Sequence, residues 1–148
     1  MMKITSKFFG EIEINEEQII HFPNGIPGFE EEKQFVVLPL EEQSPFAILQ
    51  SVHHSHVGFV VAYPFSFYPD YAFDLAAEDI EKLKLNSPDD CLTYTIMTLK
   101  EPFADSTINL KAPIVINVKE KIGKQLILHD CDYPIRFPLS KVRGKEEK

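Results

Sequence analysis

A chain of 148 residues, 44% of them hydrophobic, can bury one sizeable core and falls within the usual size of a single domain, here taken as residues 1–140 followed by a charged, disordered tail over 141–148. A formal net charge of −8 repels a phosphate backbone, so direct nucleic-acid binding is not expected and a basic protein is the better electrostatic partner. No apolar run approaches the roughly 18 residues of a membrane span, and MMKITSKFFG lacks the apolar core of a signal peptide, so a cytoplasmic location without membrane association is expected. Cys91 and Cys131 form no motif spacing and read as free thiols.

Lys3 to Asn15 alternates with period two: Ile4, Ser6, Phe8, Gly10, Ile12 and Ile14 lie on one side, and Lys3, Thr5, Lys7, Glu11 and Glu13 on the other. That is a half-buried strand, or two strands joined at Gly10. Gln18 to Phe22 is a short strand running into Phe22–Glu30, FPNGIPGFE. In this stretch Asn24-Gly25 suits positive φ, and Pro27-Gly28 fits the central positions of a type II turn. The sequence therefore predicts a rigid corner, with Phe22 and Phe29 pinning its ends into a core.

Phe35–Leu40, Phe46–Val52 and Gly58–Phe65 are short apolar runs rich in β-branched and aromatic residues and read as strands. Val36, Val37, Leu38 and Phe59, Val60, Val61 are apolar without alternation, which requires both faces to be covered. Closure into a barrel, or a sandwich with a covered outer face, meets that need. Ala76–Leu85 is the one helix, with Ile80 and Leu83 on its apolar face, acids in its first half and lysines in its second. Ser87-Pro88-Asp89-Asp90 predicts a capped turn, and Cys91–Leu99 alternates Leu92, Tyr94, Ile96 against Thr93, Thr95 as a strand. Thr107–Val118 divides at Pro113, which lacks an N–H and belongs at a bulge, an edge or a strand start. Lys119–Lys124 reads as a hairpin connection into a strand at Gln125–His129. The fold class is mainly all-β: an antiparallel barrel-like or closed-sandwich arrangement of about ten short strands with one short helix.

Three stretches invite a chemical reading. His53-His54-Ser55-His56 suggests a metal-dependent enzyme, yet only His54 and His56 point together on a strand and no recognised spacing supplies further ligands, so a solvated hairpin tip is favoured. His129-Asp130-Cys131-Asp132 suggests a thiol nucleophile, but flanking carboxylates raise a thiol pKa. Neither is an active site, and no catalytic, cofactor or metal residues are assigned. The third stretch combines Phe65, Phe67, Tyr68, Tyr71 and Phe73 with Asp70, Asp74, Glu78 and Asp79, a composition that suits a partner-binding surface as well as a solvated core edge.

With those residues laid out, the chain resembles the bacterial flagellar assembly factors of the FliW family from Phe9 to about Leu139. The specific pieces are FPNGIPGFE, PFAILQS (Pro45–Ser51), YPFSFYPDYAFDL (Tyr63–Leu75) and TINLKAPIVIN (Thr107–Asn117). The resemblance implies a non-enzymatic regulator, monomeric before complex formation, that binds the RNA-binding repressor CsrA and frees flagellin mRNA from it, and that is itself titrated by unassembled flagellin. A flagellin chaperone without CsrA control is the alternative. Phe67, Asp70, Tyr71, Asp74, Glu78 and Asp79 become the candidate CsrA-binding residues. Asn24, Gly25, Pro27, Gly28, Phe29, Gln50, Asn109 and Pro113 are the family-motif positions, structural or partner-binding.

Overall fold

Runs that are apolar on both faces need cover on both, and the computed structural model, which describes residues 2–41, 43–129 and 132–139, supplies it by closing a barrel. Its strands are β1 (Met2–Ser6), β2 (Gly10–Ile14), β3 (Ile20–His21), β4 (Gln34–Pro39), β5 (Phe46–Ser51), β6 (Gly58–Ala62), β7 (Cys91–Thr98), β8 (Thr107–Ile108), β9 (Ile114–Asn117), β10 (Ile122–Gln125) and β11 (Phe137–Pro138). Among the described residues one α-helix, α1 (Ala77–Lys82), interrupts them. Seven strands form the ring in the order β7-β6-β5-β4-β3-β10-β9, and it shuts where Cys91–Tyr94 of β7 pairs with Ile114–Asn117 of β9. Every neighbouring pair is antiparallel except β3 with β10, which makes the barrel mixed. β8 and β11 continue the sheet from the far end of β7, and β1 and β2 form a separate hairpin.

The period-two geometry of strands sorts the apolar residues into one inner and three outer groups. Phe22, Phe35, Leu49, Val61, Ile114 and Ile116 pack together as the barrel core. On the outside, Val36 is buried under the β1–β2 hairpin by Ile4 and Ile14. Ala62 and Met97 lie under a shell that includes Tyr71, Phe73, Tyr133, Phe137 and Leu139. Val115 is covered by Leu83, just past α1, and by Leu126. Each fully buried aliphatic or aromatic side chain contributes about 1.5–3 kcal/mol, so the hairpin and helix add to stability by covering faces the barrel leaves bare.

Several expectations change at this level. Of the two readings of Lys3–Asn15, the pair of strands joined at Gly10 is the one that forms, with Gly10 at positive φ beside the hairpin tip. In β7 the threonine side is the better buried: Thr93 and Thr95 are buried while Leu92, Tyr94 and Ile96 are half-buried at the barrel interior. Thr95 Oγ1 donates to the Ala62 carbonyl at 3.3 Å, which satisfies the hydroxyl that burial would otherwise penalise. β6 ends at Ala62 because Pro64 opens a tight helical turn, Pro64–Ser66, so the strand stops short of Phe65. Gly123 lies within β10 instead of in a connection, and residues 126–129 form no strand although Leu126 and Leu128 donate to the Pro113 and Lys111 carbonyls. Pro113 stands immediately before β9, as its missing N–H requires. Asp130, Cys131 and the tail at 141–148 lie outside the described residues.

Candidate protein-docking site

The FPNGIPGFE corner forms from local chemistry. Gly25 (φ 65°) and Gly28 (φ 88°) occupy the left-handed region, and Phe29 N–H closes the Pro27-Gly28 turn onto the Ile26 carbonyl at 2.6 Å. Glu30 accepts from Gly28 N–H at 3.1 Å, and this bond, with that of its own N–H, holds its carboxyl below the usual carboxylate range. Phe22 is fully buried, but Phe29 is not: its ring is 41% exposed and meets Phe59 edge-on at 5.2 Å. Asn24 and Pro27 are exposed at the corner's surface. Only one of the two expected pins therefore enters the core.

Gln50 is structural. Its fully buried amide accepts from Lys7 N–H at 2.8 Å and donates towards the carbonyls of Ser51 and Val57, both at 3.1 Å. One side chain thus ties the β1–β2 hairpin to the loop that holds the histidines. Asn109 accepts from Lys111 N–H at 3.0 Å and shapes the turn before Pro113.

The histidine loop is tethered by Glu32, a residue the sequence reading passed over. Glu32 accepts from Ser51 Oγ at 2.6 Å and lies 2.7 Å from His54 Nδ1, while His53 Nε2 meets Gln34 Oε1 at 2.6 Å. Among the described residues no group of three or more His, Cys, Asp or Glu is placed to hold a metal ion. Burial works against ionisation of Glu32, but the bonds from Ser51 and His54 and the charges of His54 and His56 outweigh it and lower its pKa. A depressed folded-state value stabilises the fold above the ordinary carboxyl pKa of 4.5, and that stabilisation disappears as pH falls through the folded value. Glu32→Gln is therefore expected to cost about 1–2 kcal/mol at pH 7, with the gap in melting temperature from the parent narrowing in acid. A gap that stays constant from pH 7 to about pH 3 would remove the charge from this account.

The aromatic and acidic stretch divides into several parts. Tyr71 is 3% exposed, its hydroxyl donates to the Leu110 carbonyl at 2.6 Å, and it forms part of the wall of the apolar groove beside α1. Phe67 is half-buried against Phe46, with ring centroids 5.5 Å apart. Asp70, Asp74 and Glu78 are exposed. Asp79 is already engaged, 2.5 Å from Lys124 Nζ, which fastens α1 to β10. Glu78 makes only an exposed i,i+4 pair with Lys82 at 3.1 Å, a weak tie that a partner can replace.

Two concavities flank α1. On one side an open, mainly apolar groove of about 570 Å³ is lined by Tyr63, Phe65, Phe73, Leu75, Ile80 and Leu92, among others. Ile80, expected on the buried face, is 40% exposed at this groove, while Leu83 is buried as expected. Cys91 also lines the groove, and burial pushes its thiol pKa up against the opposing bond with Thr93, so it is no activated nucleophile. On the other side a more polar cleft brings Asp74, Glu78 and Asp79 together with Lys124 and the exposed Ile127. Phe73 and Ala72 line both, and Ala72 is fixed by Tyr133, whose hydroxyl accepts from its N–H and donates to its carbonyl, both at 3.0 Å. Phe67 and Asp70 line neither. The remaining unforeseen residue is Asn117, buried, whose amide donates to the Leu83 and Lys84 carbonyls at 2.8 and 3.0 Å and secures the end of α1.

A family model described as "FliW protein" matches residues 3–139. The chain belongs to the FliW family. It is 52% identical over 132 residues to the flagellar assembly factor FliW of Bacillus velezensis, covering 89% of this chain and 92% of that one. With its counterpart in Bacillus subtilis it shares 49% over 138 residues, covering 93% and 96%. A crystal structure titled as the flagellar assembly factor FliW superposes with a TM-score of 0.89 at 48% identity, covering 93% of this chain and 96% of that chain. The FliW match spans the barrel, the hairpin, α1 and both concavities beside it. Among the described residues, no helix is long and apolar enough to cross a membrane.

Proposed function

We propose that this flagellar assembly factor works in the cytoplasm as a protein-binding regulator that takes up the translational repressor CsrA, frees flagellin mRNA from it, and is taken up in turn by unassembled flagellin. The observation that supports this reading is the adjacency, across α1, of an apolar groove and exposed acids in a chain of the FliW family. Acids steer a basic RNA-binding protein into encounter, and apolar and aromatic groups beside them retain it. For titration by flagellin to reverse the first step, the two partners must exclude or oppose each other, and a coupling of about 1–3 kcal/mol changes affinity by roughly 5- to 150-fold.

Adding the pure protein to CsrA bound to a flagellin leader RNA is expected to release the RNA. An RNA complex that survives saturating protein would overturn the proposal. Within the site, the charge-reversed triple variant Asp70→Lys, Asp74→Lys, Glu78→Lys is expected to weaken CsrA binding on the order of 10-fold and to flatten its salt dependence. Asp79 is left intact because its reversal would break the tie to Lys124 and disturb the fold. Unchanged affinity in the triple variant would place the contact elsewhere. The apolar groove also suits a flagellin chaperone without CsrA control, since a groove of this kind accepts one face of an amphipathic helix. Pull-downs from cells that contain flagellin but no CsrA, and the converse, separate the two readings.

A further inference from the structure

Residues 126–129 form no strand, yet they carry the β9–β10 ladder onward: Leu126 and Leu128 donate to the Pro113 and Lys111 carbonyls, both at 2.8 Å, in the register set by Gln125 opposite Ile114. Neighbouring residues of an extended chain turn their N–H and C=O to opposite edges, so those of Ile127 point away from β9. On that side β3 has only two residues and reaches β10 at Ile122 alone, opposite His21. Among the described residues nothing is hydrogen-bonded to the Ile127 N–H or carbonyl, and its side chain is 50% exposed. The result is an open sheet edge, a template onto which another extended chain can add.

Charge decides what adds there. The polar cleft of about 720 Å³ that Ile127 lines is lined also by Asp74, Glu78 and Asp79. Lys124 in the same lining is held by Asp79 at 2.5 Å, whereas Asp74 is exposed and Glu78 makes only its exposed pair with Lys82, so these two acids are open to positive charge. The opposite bank does not compete for the edge at Ala72, whose N–H and carbonyl are both taken by the Tyr133 hydroxyl. We infer that the cleft binds an extended, lysine- or arginine-bearing segment of a partner protein, which pairs its backbone with Ile127 and lays basic side chains against Asp74 and Glu78. A stretch of about five residues, roughly 17 Å long, matches residues 125–129. A second copy of this chain is the poorer occupant, because a net charge of −8 on each sets the two against one another. The inference rests on the reading of the acids beside α1 as a protein-docking surface, and adds the form in which the partner is held.

The probe is a six-residue peptide of alternating lysine and valine, capped at both ends and added to the isotope-labelled full chain. It is expected to bind and to slow amide hydrogen exchange at Ile127, while its glutamate–valine counterpart does not bind. The variant Asp74→Lys/Glu78→Lys, at exposed positions, is expected to weaken the lysine peptide on the order of 10-fold, with the difference shrinking at high salt. No binding up to about 1 mM, equal binding of the glutamate peptide, or binding that leaves exchange at Ile127 unchanged overturns the inference. So does an Ile127 amide that is already protected without peptide, since this chain or a second copy would then cover the edge. The RNA-release assay uses CsrA and this one does not, so either can fail while the other succeeds.

Discussion

Alanine in place of Gly25 is expected to lower the melting temperature by roughly 10 °C, from a loss of about 3–4 kcal/mol in a domain of this size. Two costs add. The residue sits at φ 65°, where a Cβ costs about 1–2 kcal/mol, and the added carbon would stand 2.6 Å from the Cα and carbonyl oxygen of Glu30. Those are backbone atoms, which cannot rotate away as the end of a side chain can. Gly28 is the internal comparison: its φ is 88°, yet nothing lies within 4 Å of an added Cβ. Gly28→Ala therefore carries the backbone cost alone and should fall well short of Gly25→Ala in thermal unfolding. Equal losses would show that the collision with Glu30 contributes nothing.

Gly123→Ala is expected to cost about 2–3 kcal/mol by a different route. No unusual dihedral is involved, but an added Cβ would lie 2.6 Å from Cζ of Phe22 and 2.9 Å from both Cε atoms. Phe22 is fully buried and packs edge-on against Phe35 at 5.2 Å, so its ring has no free space to yield into. The effect should be recoverable. Phe22→Leu alone opens a cavity and destabilises by about 1–3 kcal/mol, while in the double variant the new methyl occupies part of that space. Chemical denaturation should give a loss for the double variant smaller than the sum of the single losses by at least about 1 kcal/mol. Strict additivity would mean that the two positions do not meet.

What could be read from the sequence follows from the range of the interactions involved. Two-sided apolar runs at Phe35–Leu40 and Gly58–Val61 demanded a covered sheet, and the barrel and its outer hairpin provide one. The glycines of FPNGIPGFE announced their own dihedrals, because turn chemistry is decided within four residues. By contrast, Gly123 looked like a turn residue because the ring it accommodates belongs to Phe22, far away in the chain. Ile80 and Leu83 share a helical spacing, but α1 is too short and too shallowly seated to bury both, and only the wall against β9 receives cover. At the site, charge and aromatic content could be read from the sequence, whereas assignment was not: Tyr71 turned inward to Leu110, and Asp79 found Lys124. Such long-range partners leave no local periodicity to detect.

Helix α1 has six residues and no side-chain cap at its start, too little to persist by its own propensity. It survives because the Asn117 amide clamps the carbonyls of Leu83 and Lys84 just past its end and Lys124 grips Asp79. The wall between groove and cleft is thus a borrowed one, kept upright by two distant strands. Groove and cleft therefore share one support, and the shape of both depends on contacts made by residues far from α1 in the chain.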